Sequence, residues 1–327
     1  MPGAARYKAA MRIFRHDRVG AADRGAVVAI GNFDGVHLGH QVVIGEAGRL
    51  ARSLGAPHAV LTFEPHPRQV FRPQDPPFRL TPFRVKSRRI EALGVDLLFT
   101  LHFDQEFAAR SAEDFVETVL RDGLGARHVV VGYDFVFGNQ RRGTPALLRE
   151  RGAALGIGVT VVDPVAAQSG LRYSSTAIRE HLKAGRPREA AALLGTFWEI
   201  EGRVERGDQR GRTIGFPTAN LMLDDFLRPA AGVYAVRAAV EQGGRPEWHD
   251  AVANLGQRPT FGGTDLRLEA HLFDFAGDLY GRHLRVALIE HLRPERKFSG
   301  IEALKQQIAE DARQARAVLA AVPMPSG

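Results

Sequence analysis

Short apolar runs alternate with amphipathic segments through the first half of the chain. Continuous apolar runs are typical of buried strands, and they predict strands at residues 27–30, 58–63, 95–101, 128–132 and 158–162. Segments with apolar positions at helical spacing lie between them, at residues 38–54, 82–93, 112–121 and 145–155. This alternation predicts a parallel sheet that is covered on both faces and binds ligands at the carboxyl ends of its strands.

The pattern changes in the second half of the chain, where strands follow one another directly. Strands are predicted at residues 197–206, 232–241, 247–255, 266–275 and 282–292, with a hairpin turn at Gln242-Gly243-Gly244 and a final amphipathic helix at residues 301–320. Consecutive strands with glycine-rich turns predict an antiparallel barrel. A short helical bridge at residues 183–196 separates the two patterns. We therefore predict an α/β domain at residues 1–186 and a β-barrel domain with a C-terminal helix at residues 187–327.

Composition narrows the class of protein. The 327 residues are 44% hydrophobic and 25% charged, which is typical of a soluble globular protein. The chain has no cysteine, which excludes disulfides and thiolate metal sites. It also has no run of 18 or more apolar residues, so no transmembrane helix is predicted. Residues 1–24 lack the apolar core of a signal peptide, and we interpret them as an ordinary leader into the first strand. We expect a cytoplasmic protein with no membrane partner.

The charge balance is basic, with 44 lysines and arginines against 37 acidic residues and a net charge of +7. Dense basic pairs occur at Arg88-Arg89 and Arg141-Arg142, and acidic residues are scattered among the bases elsewhere. A nucleic-acid-binding protein usually gathers its excess charge into a patch. Small anionic substrates such as nucleotides account for this charge excess as well as DNA or RNA would. We expect no nucleic-acid partner, and self-association is left open.

The strongest candidate for chemistry is the segment at residues 27–44, VVAIGNFDGVHLGHQVVI. A strand, a glycine-bearing turn and a helix start form an anion site, because the first helical N–H groups lack partners and the helix dipole adds positive charge. His37 and His40 lie three residues apart there and can donate to phosphate oxygens. Glycines that allow close approach of the backbone to a ligand surround them, at Gly31, Gly35 and Gly39. The pair could instead bind a metal with Asp34, or lie unused on the surface.

Three further motifs follow predicted strands or begin a helix in the first half. The rigid loop Glu64-Pro65-His66-Pro67 suits substrate placement or is only a stiff connection. Residues 133–138, YDFVFG, combine aromatic rings with the carboxylate of Asp134, which suits a planar ligand, although such rings are often plain core. Residues 174–179, SSTAIR, form a helix N-cap or a second phosphate cradle with Arg179.

Two features of the second half carry candidate chemistry. In residues 207–220, GDQRGRTIGFPTAN, glycines let the backbone lie against phosphates, and Thr218 and Asn220 offer oxygen ligands for Mg²⁺. The second feature is Glu269, which strand alternation places on one face with Arg267 and His271 and opposite the neighbouring leucines. By default such a polar face is simply solvated.

Together these motifs resemble the bifunctional prokaryotic FAD synthetases, which join an FMN adenylyltransferase module to a riboflavin kinase module. The resemblance runs from about Ile30 to Arg316. It is carried by GNFDGVHLGH, TFEPHP, VVVGYDFVFG and SSTAIR in the first half, and by GFPTAN, AVANLGQRPTF, LEAHLFDFAGDLYG and LRPERKF in the second. It implies a Rossmann-like nucleotidylyltransferase domain at residues 1–186 and a riboflavin kinase barrel at residues 187–327.

The resemblance also implies roles for individual residues. His37 and His40 would stabilise adenylyl transfer, Arg179 would close on the phosphates, and Glu269 would take the proton of the ribityl hydroxyl. Contacts to ATP phosphates would come from Gly31, Asn32, Phe33, Asp34, Gly35, Ser175, Thr176, Gly207, Gly211, Arg212, Gly215 and Pro217. The flavin side would be lined by Pro65, His66, Pro67, Asp134, Asn254, Arg293, Asp311 and Arg316. Thr218 and Asn220 would hold Mg²⁺.

These roles imply two reactions: riboflavin and ATP give FMN and ADP, and FMN and a second ATP give FAD and pyrophosphate. The chain departs from the family pattern at Val136, where a basic residue is frequent, and at residues 195–198, GTFW, where the family tends to have Gly-Arg-Pro-Tyr. Two alternatives remain. One is an adenylyltransferase for another phosphorylated acceptor, with the barrel as an accessory binder. The other is a nucleic-acid-binding or flavin-responsive protein without turnover.

Overall fold

The computed structural model describes residues 10–164, 173–206, 215–241, 246–260 and 263–324. The chain divides into two compact units. The first contains the chain up to Pro76 and residues Thr81–Tyr173, and the second contains Pro77–Leu80 and the chain from Ser174 onward. In the part of the chain described, no helix is long and apolar enough to cross a membrane.

The first unit is built on a parallel sheet of six described strands in the order β1-β4-β3-β2-β5-β6. The strands are β1 (Arg12–Phe14), β2 (Val27–Ile30), β3 (His58–Glu64), β4 (Leu97–His102), β5 (His128–Gly132) and β6 (Gly158–Val162). The five predicted strands and the parallel α/β architecture are confirmed. The interpretation of residues 1–24 as a plain leader was wrong for β1, a short edge strand whose three residues are too few to show a period.

The helices of the first unit follow the predicted alternation. They are α1 (Leu38–Leu54), α2 (Pro67–Phe71), α3 (Phe83–Ala92), α4 (Gln105–Ala108), α5 (Ala112–Asp114), which continues as a π-helix over Phe115–Gly123, and α6 (Pro145–Ala154). Successive residues of β2 enter different cores, since Val28 and Ile30 pack in one cluster and Val27 and Ala29 in another. Burial on both faces explains why this strand has no polar alternation.

The chain order places a switch point at β2. The chain runs from β2 through β3 to β4 on one side, and then returns to place β5 and β6 on the other side. In open α/β sheets, ligands bind at such a point, outside the carboxyl ends of the strands. The segments that follow β2 and β5 are the glycine-rich turn at Gly31 and the aromatic loop at Tyr133.

The second unit contains an antiparallel sheet with the order β7-β12-β9-β10-β11-β8. Its described strands are β7 (Glu199–Arg203), β8 (Ala219–Met222), β9 (Gly232–Val240), β10 (Glu247–Thr260), β11 (Gly263–Leu272) and β12 (His283–Arg293). A bridge between Glu205 and Asn220 joins the two ends of the sheet, so the barrel is nearly closed, as predicted. The prediction missed β8, which has four residues and lies within the PTAN motif. The predicted hairpin turn at residues 242–244 lies outside the described residues.

In the described part of the second unit, the helices beside the barrel are α7 (Ser175–Lys183), α8 (Pro187–Leu194) and α9 (Ile301–Ala320). The last has the predicted bounds, and its Ala315 and Leu319 pack in a core cluster with barrel residues. Helices α7 and α8 belong to the second unit. The division of activities at residue 186 stays a prediction, because compact units are defined by their contacts and not by their function.

Candidate active sites

The loop after β2 is held in an unusual backbone conformation. Phe33 and Val36 have positive φ angles of 48° and 44°, and Gly35 has a φ of 92°. Non-glycine residues rarely adopt this left-handed region, and they persist there when the surroundings fix them. Both side chains are 2% exposed and belong to the core on one face of the sheet. Packing of the Phe33 and Val36 side chains into this core therefore fixes the conformation of the loop.

Asp34 braces this loop from the side. Its carboxylate accepts hydrogen bonds from the Thr81 N–H at 3.0 Å and the Thr81 hydroxyl at 3.3 Å, and the Gly35 N–H donates to the same hydroxyl at 2.7 Å. Asp34 is 2% exposed. Nowhere in the described ranges do three or more His, Cys, Asp or Glu side chains form a group that could hold a metal. The alternative of a metal held by the histidines and Asp34 therefore has no support.

The two histidines meet at the start of α1, as the sequence predicts. His37 is the N-cap of the helix, and its Nδ1 accepts a hydrogen bond from the His40 N–H at 3.2 Å. The two rings stack with centroids 3.5 Å apart, and the edge of Phe33 meets His40. Because Nδ1 of His37 accepts, the neutral ring carries its proton on Nε2 and can donate from there. The pair thus supplies an imidazole donor beside the N–H groups of the helix start.

Lys86 is a residue of this site that the sequence analysis missed. It lies on α3, is 0% exposed and forms an ion pair with Glu64 at 2.7 Å. Its Nζ also donates to the Asn32 carbonyl at 3.2 Å and the Thr62 hydroxyl at 3.3 Å. A signal was present in the sequence, because Lys86 falls four residues before the buried Ile90 on the apolar side of the helix.

The loop that follows β3 is a helix cap. His66 accepts from the Arg68 N–H through Nδ1 at 3.1 Å, and its own N–H donates to the Gln69 side chain at 3.1 Å. Pro67 is the first residue of α2. The flavin roles of Pro65, His66 and Pro67 stay predictions, as does that of Asp134, which is exposed after β5.

In the second unit, the start of α7 has the predicted cap. Ser174 Oγ accepts from the Ala177 N–H at 3.1 Å, which makes Ser175 and Thr176 the first two residues of the helix. Arg179 donates from Nε to the Phe78 carbonyl at 2.9 Å, and its guanidinium lies 5.4 Å from the Phe78 ring centroid. The proposed phosphate contacts of these residues stay predictions.

A row of polar residues crosses three neighbouring barrel strands. Glu269 on β11 is paired in register with Asn254 on β10 and with Asn220 on β8. Residues directly opposite each other in an antiparallel pair project to the same face, with Cβ atoms about 5 Å apart. The alternation around Glu269 is confirmed, since Leu266 and Leu268 are buried and Glu269 is half-buried. Register therefore groups a carboxylate with two amides.

The PTAN loop is held from the barrel side. His271 donates from Nδ1 to the Pro217 carbonyl at 2.8 Å, and its ring meets the edge of Phe216. The Asn220 amide N–H donates to the Thr218 carbonyl at 3.4 Å. Sequence analysis placed His271 beside Glu269 but gave it no role. Gly215 and Pro217 are in the described part of this motif, and Gly207, Gly211 and Arg212 lie outside it.

The remaining predicted flavin residues fall into separate contacts. Asn254 donates to Glu295 at 3.2 Å. Arg293 forms a two-pronged ion pair with Asp311, at 2.8 and 2.6 Å. Arg316 pairs instead with Asp274, and its guanidinium packs over the Phe273 ring. The hydrogen bond from Arg316 lowers the pKa of the Asp274 carboxyl. The structure thus brings Arg293 and Asp311 together and gives Arg316 a different partner.

Comparison with known proteins finds two family models, each of which matches a different part of the chain. The FAD synthetase family model matches residues 20–177, and the riboflavin kinase family model matches residues 194–319. The bifunctional riboflavin kinase/FMN adenylyltransferase of Escherichia coli K12 is 41% identical over 308 residues, which cover 94% of this chain and 97% of the relative. The chain belongs to the bifunctional riboflavin kinase/FMN adenylyltransferase family. Members from Pseudomonas fluorescens and Bacillus subtilis are 42% and 40% identical, covering 91% and 89% of this chain and 94% and 91% of their own.

A solved structure is also similar to most of this riboflavin kinase/FMN adenylyltransferase family member. It is described as a macrolide-efflux protein of Streptococcus pneumoniae, with a TM-score of 0.82 and 32% identity, and covers 94% of this chain and 99% of its own.

The departure from the family pattern at residues 195–198 includes a tryptophan whose contacts the structure shows. Trp198 is fully buried in the second unit and donates from Nε1 to the Leu80 carbonyl at 2.7 Å.

Proposed function

We propose that the chain makes FAD in two steps at two separate sites. Riboflavin is phosphorylated by ATP in the barrel, and FMN is adenylylated by ATP at the carboxyl end of the parallel sheet. The observation that carries the proposal is the presence of one polar site inside each unit: the stacked histidines at the start of α1, and the row of Asn254, Glu269 and Asn220. The proposal is supported by the two family models, since FAD synthetase matches residues 20–177 and riboflavin kinase matches residues 194–319.

In the first unit, an oxygen of the FMN phosphate attacks the α-phosphorus of ATP, and the bond to the bridging oxygen of pyrophosphate breaks. The attacking group is already an anion, so no side-chain nucleophile is needed. Negative charge grows on the phosphate oxygens during this step, and donors aimed at them stabilise it. His37 and His40 supply such donors, and the backbone N–H groups at the start of α1 add to them. Arg179 is the further cation that we propose for these phosphates.

In the barrel, the ribityl hydroxyl attacks the γ-phosphorus of ATP and loses its proton, and the bond from the γ-phosphorus to the bridging oxygen breaks, so that ADP leaves with that oxygen. Glu269 is the base that we propose for that proton, and Asn220 and Asn254 lie beside it in register. Catalysis of such a transfer is mostly positioning and electrostatic stabilisation, so one well-placed carboxylate is sufficient. Glu269 is half-buried, which leaves it a path to a bound hydroxyl.

Mg²⁺ fits the residues beside this base. Thr218 and Asn220 offer a hydroxyl oxygen and an amide oxygen, and the amide N–H of Asn220 is used by the Thr218 carbonyl. Hard oxygen ligands of this kind suit Mg²⁺, which keeps several waters and takes its other ligands from substrate phosphates. We propose that Thr218 and Asn220 hold it. When bound, Mg²⁺ supplies charge neutralisation on the transferring phosphoryl group.

The substrates that we propose are riboflavin, FMN and ATP, with no nucleic-acid partner. The dispersed basic charge supports small anions, and the absence of cysteine is compatible with a cytoplasmic enzyme. Binding to nucleic-acid phosphates weakens steeply as the salt concentration rises. Binding to oligonucleotides that does not change with salt would therefore exclude a phosphate-driven mode of binding. Self-association is testable by sedimentation.

The decisive experiment incubates the purified chain with riboflavin, ATP and Mg²⁺ and separates the flavins by chromatography. The wild-type chain should produce FMN and then FAD. His40→Ala should abolish FAD while FMN accumulates, because the imidazole donor is lost from the first unit alone. Glu269→Gln should abolish FMN from riboflavin while FAD is still made from added FMN.

A matched control exists for the barrel variant. Glu290→Gln removes another half-buried glutamate of the same barrel, one that pairs with Arg188, and should leave both products unchanged. Loss of both products in His40→Ala would contradict two independent sites. Full kinase activity in Glu269→Gln would rule out Glu269 as the base. Failure of the wild-type chain to make FMN from riboflavin would favour an adenylyltransferase with an accessory barrel.

A further inference from the structure

Lys86 is a buried cation beneath the first site, and no role has been given to it so far. Its side chain is 1% exposed. Burying an ammonium group is costly unless it is paired and hydrogen-bonded. The three N–H donors of Lys86 find three acceptors: the Glu64 carboxylate at 2.7 Å, the Asn32 carbonyl at 3.2 Å and the Thr62 hydroxyl at 3.3 Å. The group is therefore fully satisfied in place.

These acceptors lie at the carboxyl ends of two neighbouring strands. Asn32 is the second residue after β2, and Glu64 is the last residue of β3, which pairs with β2 in parallel. Glu64 is followed directly by the proposed flavin loop at Pro65, and Asn32 lies inside the proposed ATP loop. The Thr62 hydroxyl also donates to the Asn32 carbonyl at 3.2 Å. One ammonium group thus contacts both loops at once.

The contact at Asn32 controls the direction of a backbone donor. In a trans peptide, the carbonyl of one residue and the N–H of the next point in opposite directions. Since the Asn32 carbonyl faces Lys86, the N–H of Phe33 is directed away from it. Phe33 and Gly35 have positive φ angles. For a residue such as Phe33, this backbone conformation persists only when surrounding contacts hold the loop in place. Loss of the ammonium group would let the Asn32 peptide turn.

We propose that Lys86 is a positioning residue for adenylyl transfer, which holds the ATP loop through Asn32 and the flavin loop through Glu64 in their reactive arrangement. The proposal rests on the proposed function of the first unit. It gives Lys86 no contact with substrate, and its effect passes through the two loops. A misplacement of about 1 Å between reacting groups can cost roughly 100-fold in rate.

The test compares Lys86→Met with a buried polar control on β3, the strand that ends at Glu64. Lys86→Met keeps most of the length of the side chain and removes its ammonium group, and should lower kcat/KM for FAD formation from FMN by about 100-fold. The fall should appear in kcat, because alignment of the reacting groups is lost. Riboflavin phosphorylation by the same protein should not change.

The control is His58→Asn at the opposite end of β3. His58 is 7% exposed, and its Nε2 lies 2.9 Å from the Ile44 carbonyl. This variant should lower the melting temperature and leave kcat for FAD formation unchanged in the folded protein. If His58→Asn and Lys86→Met lose activity only in proportion to lost folded protein, Lys86 is merely structural and the proposal fails.

Thr62→Val keeps the test informative if Lys86→Met does not fold, and a double variant extends the test if Lys86→Met does fold. Thr62→Val keeps the shape of the side chain and removes one tether of the Asn32 carbonyl, so kcat should fall by roughly 3- to 10-fold. Lys86→Met combined with Glu64→Gln should cost less than the sum of the two single changes, since the pair acts as a unit. Unchanged kcat in Thr62→Val, or additive effects in the double variant, would overturn the proposal.

His40→Ala separates this proposal from the proposed function. If His40→Ala abolishes FAD formation and Lys86→Met does not reduce kcat, the site stands and only the role of Lys86 falls. If His40→Ala has no effect, the proposed adenylylation site itself falls.

Discussion

The ion pair between Arg293 and Asp311 allows a sharp test of how helix α9 is held on the barrel. Arg293 donates from Nε and Nη2 to the two carboxylate oxygens at 2.8 and 2.6 Å, and Gln307 donates to the same carboxylate at 2.7 Å. The Asp311 side chain is 4% exposed and that of Arg293 is 19% exposed. Two parallel charge-assisted bonds of this kind are the strong form of an ion pair.

We expect Asp311→Asn to lower the free energy of unfolding by about 2–3 kcal/mol, somewhat less than the roughly 3–5 kcal/mol typical of a broken buried pair. The reduction reflects Arg293, whose partly exposed guanidinium can reach water after the change. In a unit of this size, about 1 kcal/mol corresponds to roughly 2–4 °C, so Tm should fall by about 4–12 °C. Calorimetry of the full chain measures this shift.

The same helix offers a matched control. Arg316 and Asp274 form the same type of pair at 2.9 Å, but their side chains are 50% and 79% exposed. Solvent screens such a pair and side-chain entropy opposes it, so Asp274→Asn should give no measurable change in Tm. Equal shifts for Asp311→Asn and Asp274→Asn would refute the reasoning.

A double replacement checks the physical cause. Arg293→Met together with Asp311→Leu removes both charges and keeps apolar volume, and such replacements of buried pairs are often neutral. The double variant should therefore recover most of the stability lost in Asp311→Asn. If it is less stable than that single variant, packing around the pair matters more than the unpaired charge.

Three other predictions follow from single contacts. Gly39→Ala would place a Cβ 3.2 Å from the His37 ring, so FAD formation should fall while riboflavin phosphorylation is kept, as product chromatography would show. Trp198→Phe removes the hydrogen bond to the Leu80 carbonyl and should lower the free energy of unfolding in urea by about 1 kcal/mol. An unchanged urea midpoint would show that this hydrogen bond does not stabilise the protein. Burial lowers the pKa of His128 from 6.5. The unfolded chain therefore binds more protons, and wild-type stability should fall relative to His128→Gln as pH drops below about 6.5, which Tm measured against pH would detect.

Local sequence signals predicted the elements with strong periodicity. Helix α1 has the predicted bounds because it is marked at both ends, by the cap at His37 and by Gly55 in a left-handed conformation. The strands β5 and β6 also match their predicted bounds. The short strands β1 and β8 were missed, since three or four residues contain too little pattern to reveal a period.

The candidate sites divide in the same way. The sequence predicted the meeting of His37 and His40, because both lie on one helical turn. It grouped Glu269 with Arg267 and His271 through strand alternation, but it gave no cross-strand neighbours. The pairing with Asn220 and Asn254 depends on register between strands that lie far apart along the chain.

By itself, the sequence determined where the longer strands and helices form and which faces they bury, because these depend on residues within a few positions of one another. It also supplied the short motifs that are candidates for phosphate chemistry. Tertiary structure alone decided the partners of buried charges, as when Lys86 reaches Asn32 and Glu64, or Arg293 meets Asp311. Strand order and register set those distances, and periodicity along one segment contains no information about either.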